Sequence, residues 1–154
     1  MYAFRYAQSH DLPWLDQASA ISVWESLSPD ESRQASPATV ADLARQQLYS
    51  TIGAPGGTAI VATAWNQPVG FVLTGIAPDS STDETNGHLV TLWVAPAHRR
   101  RGLGRALLHM AEQLLLHRGI RKVKVIAELH NQPAVRLAER AGYKPEGLIG
   151  VKPL

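Results

Sequence analysis

The chain has 154 residues, of which 45% are hydrophobic and 18% are charged, a composition typical of one globular domain. It contains no cysteine, which excludes a thiol nucleophile, a disulfide, a thiolate-bound metal and a cysteine-bound acyl intermediate. No stretch approaches the roughly 20 apolar residues of a membrane span, and polar residues interrupt the start where a signal peptide needs an apolar run. We therefore expect a cytoplasmic protein with a single domain over residues 1–154.

The net charge of +2 is unevenly distributed along the chain. Residues 1–77 carry three basic and six acidic side chains, whereas residues 78–154 carry twelve basic and seven acidic ones. A basic C-terminal half indicates either an anionic partner or a solvated basic face. Nucleic acid is not favoured as that partner, because no aromatic side chains interleave with the arginines to stack on bases.

Hydrophobic periodicity and turn residues predict a mixed α/β order in the first half. We expect a strand at 5–7, a helix over 12–24 with Asp11 as N-cap, a loop at 28–32, and a second helix over 37–49. A hairpin follows, with strands at 58–64 and 69–76 joined by a turn at 66–68. Residues 77–87 are predicted to form an acidic loop.

The second half is predicted to form a strand–helix–strand unit and a short helix. The expected elements are a strand at 88–94, a helix from about Gly102, a strand at 122–129, a helix from Pro133 that ends at Gly142, and a hairpin at 143–152. In the long helix, Leu103, Leu107, Met110 and Leu114 form one apolar stripe.

The segment between strand 88–94 and the long helix has the composition of an anion-binding loop. A helix N-terminus leaves four N–H groups unpaired and carries about +0.5 charge. Gly102 and Gly104 remove side chains at that point, and four arginines (Arg99, Arg100, Arg101 and Arg105) surround the two glycines. This arrangement predicts a pyrophosphate site. It is neither a P-loop nor a dinucleotide fingerprint, because the further glycine and the downstream residues of both motifs are missing.

Two longer motifs carry a family resemblance. The pattern Val94-x-Pro96-x-x-Arg99-x-x-Gly102-x-Gly104, followed by Ala106-Leu107-Leu108, resembles the acetyl-CoA loop of the GNAT-type N-acetyltransferase superfamily. The pattern from Asn131 through Ala134, Leu137, Glu139 and Arg140 to Gly142-Tyr143 is similar to that family's second conserved block. The resemblance covers residues 88–143 and implies a mixed, mostly antiparallel sheet flanked by helices, whose strands 88–94 and 122–129 splay apart.

The resemblance implies an enzyme that transfers an acetyl group from acetyl-CoA directly to a primary amine in a ternary complex. No metal is expected, because the six histidines show no metal-ligand spacing. The resemblance implies that backbone groups of Leu92, Trp93 and Val94 pair with the pantetheine arm and that the Asn131 side chain meets it. It also implies that N–H groups hold the pyrophosphate, from Arg99, Arg100, Arg101, Gly102, Leu103, Gly104 and Arg105. The expected partner is a small-molecule or peptide amine, with no nucleic acid or membrane. A homodimer is left open.

The catalytic residues are less well defined than the cofactor site. Ala138 stands where many relatives have a tyrosine that serves as general acid, and Ile126 stands where some have an acidic base. His88 stands where others have an acidic base, and a histidine can accept a proton near neutral pH. Glu128 shares strand alternation with Ile126 and is the second candidate base. Each residue also has a purely structural explanation. His88 could be a surface histidine at the end of a strand, and Glu128 could form a salt bridge to a neighbouring lysine.

Three alternatives remain open at this stage. Tyr49 or water could replace the missing acid, while Tyr143 is expected to pack in the core. The missing acid and base positions also favour a non-catalytic acyl-CoA-binding module of the same fold, which turnover of any amine would exclude. Acidic Asp79, Asp83 and Glu84 near the predicted mouth would favour a cationic amine.

Overall fold

The computed structural model describes residues 1–154 and places five strands in one central sheet. The strands are β1 (Tyr2–Tyr6), β2 (Thr58–Ala64), β3 (Gln67–Pro78), β4 (Thr85–Val94) and β5 (Val123–Val125). The helices are α1 (Leu12–Ser26), α2 (Pro29–Gln34), α3 (Pro37–Gly53), α4 (Leu103–His117) and α5 (Gln132–Arg140). The strand order is β1-β2-β3-β4-β5, and only β4 and β5 are parallel. The structure therefore confirms the predicted mostly antiparallel sheet with flanking helices.

Alternate side chains of the central strands face two hydrophobic cores. One core lies under α4 and comprises Ile60, Ala62, Ala64, Val69, Val72, Val94, Leu103, Leu107 and Ala111. The other lies under α1 and α3 and comprises Leu15, Ala18, Leu48, Ala59, Val61, Phe71, Leu73 and Trp93. The predicted stripe of α4 is partly wrong: Leu108, Ala111 and Leu115 are buried, whereas Met110 is 36% exposed. Packing of α4 on the sheet fixes its first turn beside the end of β4.

The region before β2 is more helical than predicted. Residues 28–32, predicted as a loop, begin α2, because the Ser28 hydroxyl accepts from the Glu31 N–H at 3.1 Å and the Glu31 carboxylate accepts from the Ser28 N–H at 3.0 Å. Asp11 occupies the N-cap position of α1 as predicted, but its side chain forms no capping hydrogen bond. Its carboxylate instead accepts two hydrogen bonds from Arg5, at 2.6 and 2.9 Å.

The β2–β3 hairpin turns one residue earlier than predicted. Trp65 and Asn66 adopt left-handed backbone angles, with φ of 52° and 62°, and form the turn. Pro68 therefore lies inside β3, opposite Thr63, where the register shifts. A bulge tolerates the missing N–H of proline within a sheet.

The chain after α4 contains less strand than predicted. β5 has three residues rather than eight, and residues 141–154 form no helix or strand, so the predicted hairpin at 143–152 is wrong. The apolar side chains of Ile126 and Leu129 are 82% and 73% exposed. Alternating hydrophobicity gives no information on whether a partner strand is available. None of the helices combines the length and the hydropathy that a membrane crossing requires.

Candidate functional site

A gap opens in the sheet between β4 and β5. The two strands pair only at Gly87–Val123, His88–Lys124 and Leu89–Val125, so residues 90–94 of β4 have β3 on one side and no strand on the other. β4 has a bulge at the start of the gap. Leu89 lies opposite Thr74 and Thr91 lies opposite Leu73, so Val90 between them has no partner and is the extra residue of the bulge. This geometry confirms the predicted splay and leaves backbone groups of residues 90–94 open to a ligand.

The loop that follows the gap presents a run of free backbone donors. The N–H groups of residues 100–105 donate to no acceptor in the chain, and the first helical hydrogen bond of α4 runs from the Ala106 N–H to the Gly102 carbonyl at 3.0 Å. Arg100 and Gly102 both have left-handed φ angles, 64° and 82°, which turn successive N–H groups towards one side. A Cβ atom on Gly102 would meet nothing within 4 Å. The loop therefore has the donors and the open space that a diphosphate needs.

Arg99 differs from the other loop arginines. Its Nε donates to the Val94 carbonyl at 2.8 Å, its Nη2 donates to both carboxylate oxygens of Glu25 at 2.8 and 3.2 Å, and its guanidinium lies 5.9 Å from the centre of the Trp93 ring. Its N–H donates to the Pro96 carbonyl at 3.3 Å. Arg99 therefore differs from residues 100–105, whose N–H groups are unpaired, and its predicted contact with the pyrophosphate stays a prediction. Arg99 anchors the loop.

The remaining arginines of the loop are exposed. Arg100 and Arg105 form no hydrogen bond or ion pair within the chain, and Arg101 reaches the Tyr2 hydroxyl at 3.5 Å. That hydroxyl also lies 3.0 Å from Nδ1 of His98, so Tyr2 of β1 contacts the loop at two residues. Two guanidinium groups are thus free to meet a phosphate.

The other border of the gap is the turn between β5 and α5. Asn131 caps α5 with its Oδ1, which accepts from the Ala134 N–H at 3.4 Å, while its amide nitrogen has no partner. His130 donates from Nε2 to the Ser26 carbonyl at 2.6 Å. The end of α1 therefore contacts both borders of the gap, through Glu25 and Ser26. Local sequence patterns could not reveal these two contacts, because the partners of the first are separated by 74 positions in the sequence and those of the second by 104.

The two candidate bases have different surroundings. His88 is half-buried in β4 and lines a cavity of about 280 Å³ together with Val90 and with Ser50 and Thr51 of α3. Glu128 is exposed and lies beyond the end of β5, so the strand-alternation argument for it does not hold. The structure thus brings His88, but not Glu128, to a cavity beside the gap.

Two other side chains that the sequence singled out lie away from this cavity. Tyr49 is 43% exposed on α3 and does not line it. Tyr143 is half-buried, and its hydroxyl donates to Glu112 at 3.2 Å. Burial, followed by the negative charge of Glu112, raises the pKa of Tyr143 well above its ordinary value. Tyr143 therefore joins the end of α5 to α4.

Comparison with known proteins identifies the family. A sequence model of the acetyltransferase (GNAT) family matches residues 20–143. The chain belongs to this family, which confirms the resemblance that the two motifs suggested.

Individual relatives agree with this assignment. A mycothiol acetyltransferase of Geodermatophilus obscurus is 38% identical over 92 residues, which are 60% of this chain but only 28% of that protein. A solved structure titled a putative acetyl transferase from Pyrococcus furiosus superposes with a TM-score of 0.83 at 22% identity, covering 100% of both chains. An aminoglycoside N-acetyltransferase solved in complex with CoA gives 0.75 at 16% identity, covering 99% of this chain and 95% of that one. At these identities the two structures show a common fold.

Proposed function

We propose that this chain is an acetyl-CoA-dependent N-acetyltransferase, a single domain that transfers the acetyl group directly to a primary amine within a ternary complex. The observation that carries the proposal is the run of six unpaired N–H groups at residues 100–105, immediately beyond the open segment 90–94 of β4. These two features match the two chemically different parts of CoA, a diphosphate and an amide-containing arm.

The proposed cofactor site uses backbone groups more than side chains. The N–H groups of residues 100–105 bind the pyrophosphate, and the free guanidinium groups of Arg100 and Arg105 add positive charge. On the open edge of β4, the backbone groups of Leu92 and the N–H of Val94 pair with the amides of the pantetheine arm as an added strand would. The backbone of Trp93, between them, faces Phe71 of β3, and the Val94 carbonyl accepts from Arg99. The free amide nitrogen of Asn131 meets the arm from the opposite border. CoA in the structurally similar aminoglycoside N-acetyltransferase supports this assignment.

The proposed transfer needs little beyond positioning. Holding acetyl-CoA and the amine together removes much of the entropic barrier of a bimolecular reaction. An N–H on the open edge of β4 polarises the thioester carbonyl as negative charge develops on its oxygen. The leaving group is a thiolate, and thiols have a pKa of about 8.5, so its departure requires no strong acid. Water can protonate it, which fits the presence of Ala138 where relatives have a tyrosine.

His88 is the proposed general base. An aliphatic amine is protonated at neutral pH and must lose a proton before it attacks the thioester. His88 lines the cavity that adjoins the start of the gap, and no carboxylate lines that cavity. Glu128 is a weaker candidate because it is exposed and outside β5.

The test is a thioester-consumption assay with acetyl-CoA and a panel of primary amines, which includes polyamines, amino acid amides and short peptides. Turnover with any of these amines supports an acetyltransferase. Binding of CoA without turnover on the whole panel would favour the acyl-CoA-binding module instead. Absence of CoA binding would contradict the assignment of residues 100–105.

A further inference from the structure

Gly75 in β3 is the one glycine of the five strands that the fold itself does not require. A Cβ on Gly70 would lie 3.0 Å from a carbonyl oxygen of β4, and one on Gly87 would lie 2.7 Å from Leu115 Cδ1. Gly75 has no left-handed φ, and the nearest neighbour of a Cβ there would be Thr51 Cγ2 at 3.4 Å, an ordinary van der Waals contact. Because glycine weakens a strand relative to alanine, its presence at this position needs another explanation.

The β-bulge between β3 and β4 does not supply that explanation. Its extra residue is Val90 of β4, whereas Gly75 lies directly opposite His88 in the register. The two positions share the face of the sheet that α3 covers, since a Cβ on Gly75 would meet Thr51 of α3. A glycine inside a strand often marks a place where a ligand approaches the backbone closely.

The space that Gly75 leaves open belongs to the cavity that contains His88. An added Cβ would lie 3.4 Å from Thr51 Cγ2 and 4.0 Å from Val90 Cγ2, and both of these residues line the cavity. The cavity has a volume of about 280 Å³. Ligand pockets span about 300–1,000 Å³, so this cavity accepts only a small group beside His88.

The cavity offers a ligand no charged partner other than His88. Its lining contains no aspartate, glutamate, lysine or arginine. The hydroxyls of Ser50 and Thr51 both donate to the Gln47 carbonyl of α3, at 3.2 and 2.7 Å, so their hydrogens are already used. A second charge on the acceptor would therefore lose hydration in this cavity without gaining a counter-charge.

The charged residues beside His88 are paired with each other. Lys124 of β5 is the register partner of His88, and its ammonium lies 3.5 Å from the Asp79 carboxylate. Asp79, Asp83 and Glu84 do not line the cavity. The sequence-based expectation of a cationic acceptor, drawn from these three acidic residues, is therefore not supported by their placement.

We infer that the acceptor is a small primary amine with an uncharged substituent, and that the missing side chain of Gly75 admits this substituent beside His88. This inference rests on the proposed acetyltransferase function and names a residue that determines its specificity. The substituent packs against Val90 and the Thr51 methyl group, while the amine faces His88 at the start of the gap.

Three acceptors of equal length test the charge of the substituent: n-pentylamine, 1,4-diaminobutane and 4-aminobutanoate. They end in a methyl, an ammonium and a carboxylate group, respectively. In the thioester-consumption assay with the wild-type protein, we expect kcat/KM for n-pentylamine to exceed both other values by about tenfold or more, because the cavity holds no counter-charge.

An alanine at position 75 tests the role of the missing side chain. We expect Gly75→Ala to lower kcat/KM for n-pentylamine by about tenfold, the effect of one methyl group in a close-fitting pocket, and to change the value for ethylamine much less. The Kd for CoA and the thermal unfolding temperature should not fall, because the added Cβ meets no clash. Gly53→Ala, at the end of α3 and outside the cavity lining, should leave both kcat/KM values unchanged.

A second substitution should restore the lost space. Thr51→Ser removes the Cγ2 atom that faces the added Cβ and keeps the hydroxyl that donates to Gln47. The double variant Gly75→Ala/Thr51→Ser should therefore regain much of the n-pentylamine activity that Gly75→Ala loses.

The outcomes separate this inference from the acetyltransferase proposal. Turnover of the charged acceptors at or above the rate of n-pentylamine would overturn the uncharged acceptor and leave the acetyltransferase proposal intact. So would a Gly75→Ala variant that loses n-pentylamine and ethylamine activity equally, or loses neither. Absence of turnover with these acceptors and with every amine of the panel would overturn both.

Discussion

The guanidinium of Arg99 holds the carboxylate of Glu25, with Nη2 and Oε2 2.8 Å apart, and so fastens the loop after β4 to the last turn of α1. The same guanidinium donates to the Val94 carbonyl. The loop that presents the free N–H groups is thereby fixed at both its strand end and its helix side, which reduces the ordering needed when a ligand binds.

Loss of this anchor should weaken CoA binding more than it weakens the fold. Both partners are 40% exposed, and a pair of this kind contributes about 0–1 kcal/mol to stability. We expect Glu25→Ala to raise the Kd for CoA about fivefold, because the loop must then be ordered on binding. Calorimetric titration measures this effect. Asp30→Ala, which removes the other exposed carboxylate–arginine pair of this region, with Arg33, is the matched control. Equal Kd values for both variants would contradict the anchoring role.

Gly102 should tolerate alanine poorly for conformational reasons alone. Its φ is +82° and a Cβ would meet nothing within 4 Å, so the cost arises from the left-handed backbone and not from a clash. We expect Gly102→Ala to lower the free energy of unfolding by about 1 kcal/mol and to weaken CoA binding. Gly150→Ala, at a position that is equally open but has no left-handed φ, should leave both values unchanged. Urea unfolding and CoA titration of the two variants provide the comparison.

Asp11 should make the fold sensitive to acid. Hydrogen bonds from Arg5, and then from the Gln8 N–H, lower the pKa of this carboxyl from 3.8 to about 2, although burial opposes the shift. A folded pKa below the unfolded one means that the stabilisation is fully present above about pH 4 and is lost as pH falls towards 2. Asp11→Asn should therefore reduce stability by about 2 kcal/mol at pH 7 and flatten the loss of stability between pH 4 and 2. Urea unfolding across this pH range tests the prediction. It would be contradicted if Asp11→Asn lost as much stability between pH 4 and 2 as the wild-type protein does.

His88 should affect turnover without affecting CoA binding. Removal of a general base lowers rates by about 100-fold or more, so we expect His88→Ala to lower kcat by about that factor at pH 7. The Kd for CoA should stay the same, since His88 lies outside the segment 90–105. His109→Ala removes an exposed histidine of α4 that has no hydrogen-bond partner, and it should leave kcat unchanged. A His88→Ala enzyme with normal kcat would assign proton removal to another group.

The backbone shape of the loop before α4 could be predicted from the sequence, because its requirements are local. Free N–H groups, a left-handed Gly102 and the start of a helix are all encoded within a few neighbouring residues. The role of Arg99 could not be predicted, because Glu25 lies 74 residues away. The cavity of His88 likewise depends on Ser50 and Thr51, which only the packing of α3 on the sheet brings near.

The errors in secondary structure have two different causes. The start of α2 was predictable, since Ser28 and Glu31 have the spacing of a capping box, which is a local signal. The length of β5 was not predictable, because alternation at residues 122–129 is typical of a strand whether or not a neighbouring strand continues beside it. Here β4 and β5 diverge after Leu89 and Val125, and the alternating residues beyond this point remain exposed.

In the proposed complex, the N–H groups of residues 100–105 bind the diphosphate of acetyl-CoA while the arm lies along residues 90–94. Backbone amide NMR spectra recorded during a titration with CoA test this claim most directly. We predict that the largest shifts of amide resonances occur at residues 100–105 and 90–94, and that inorganic pyrophosphate shifts only the first of these two sets. Shifts confined to other parts of the chain, or no saturable shift at all, would contradict it.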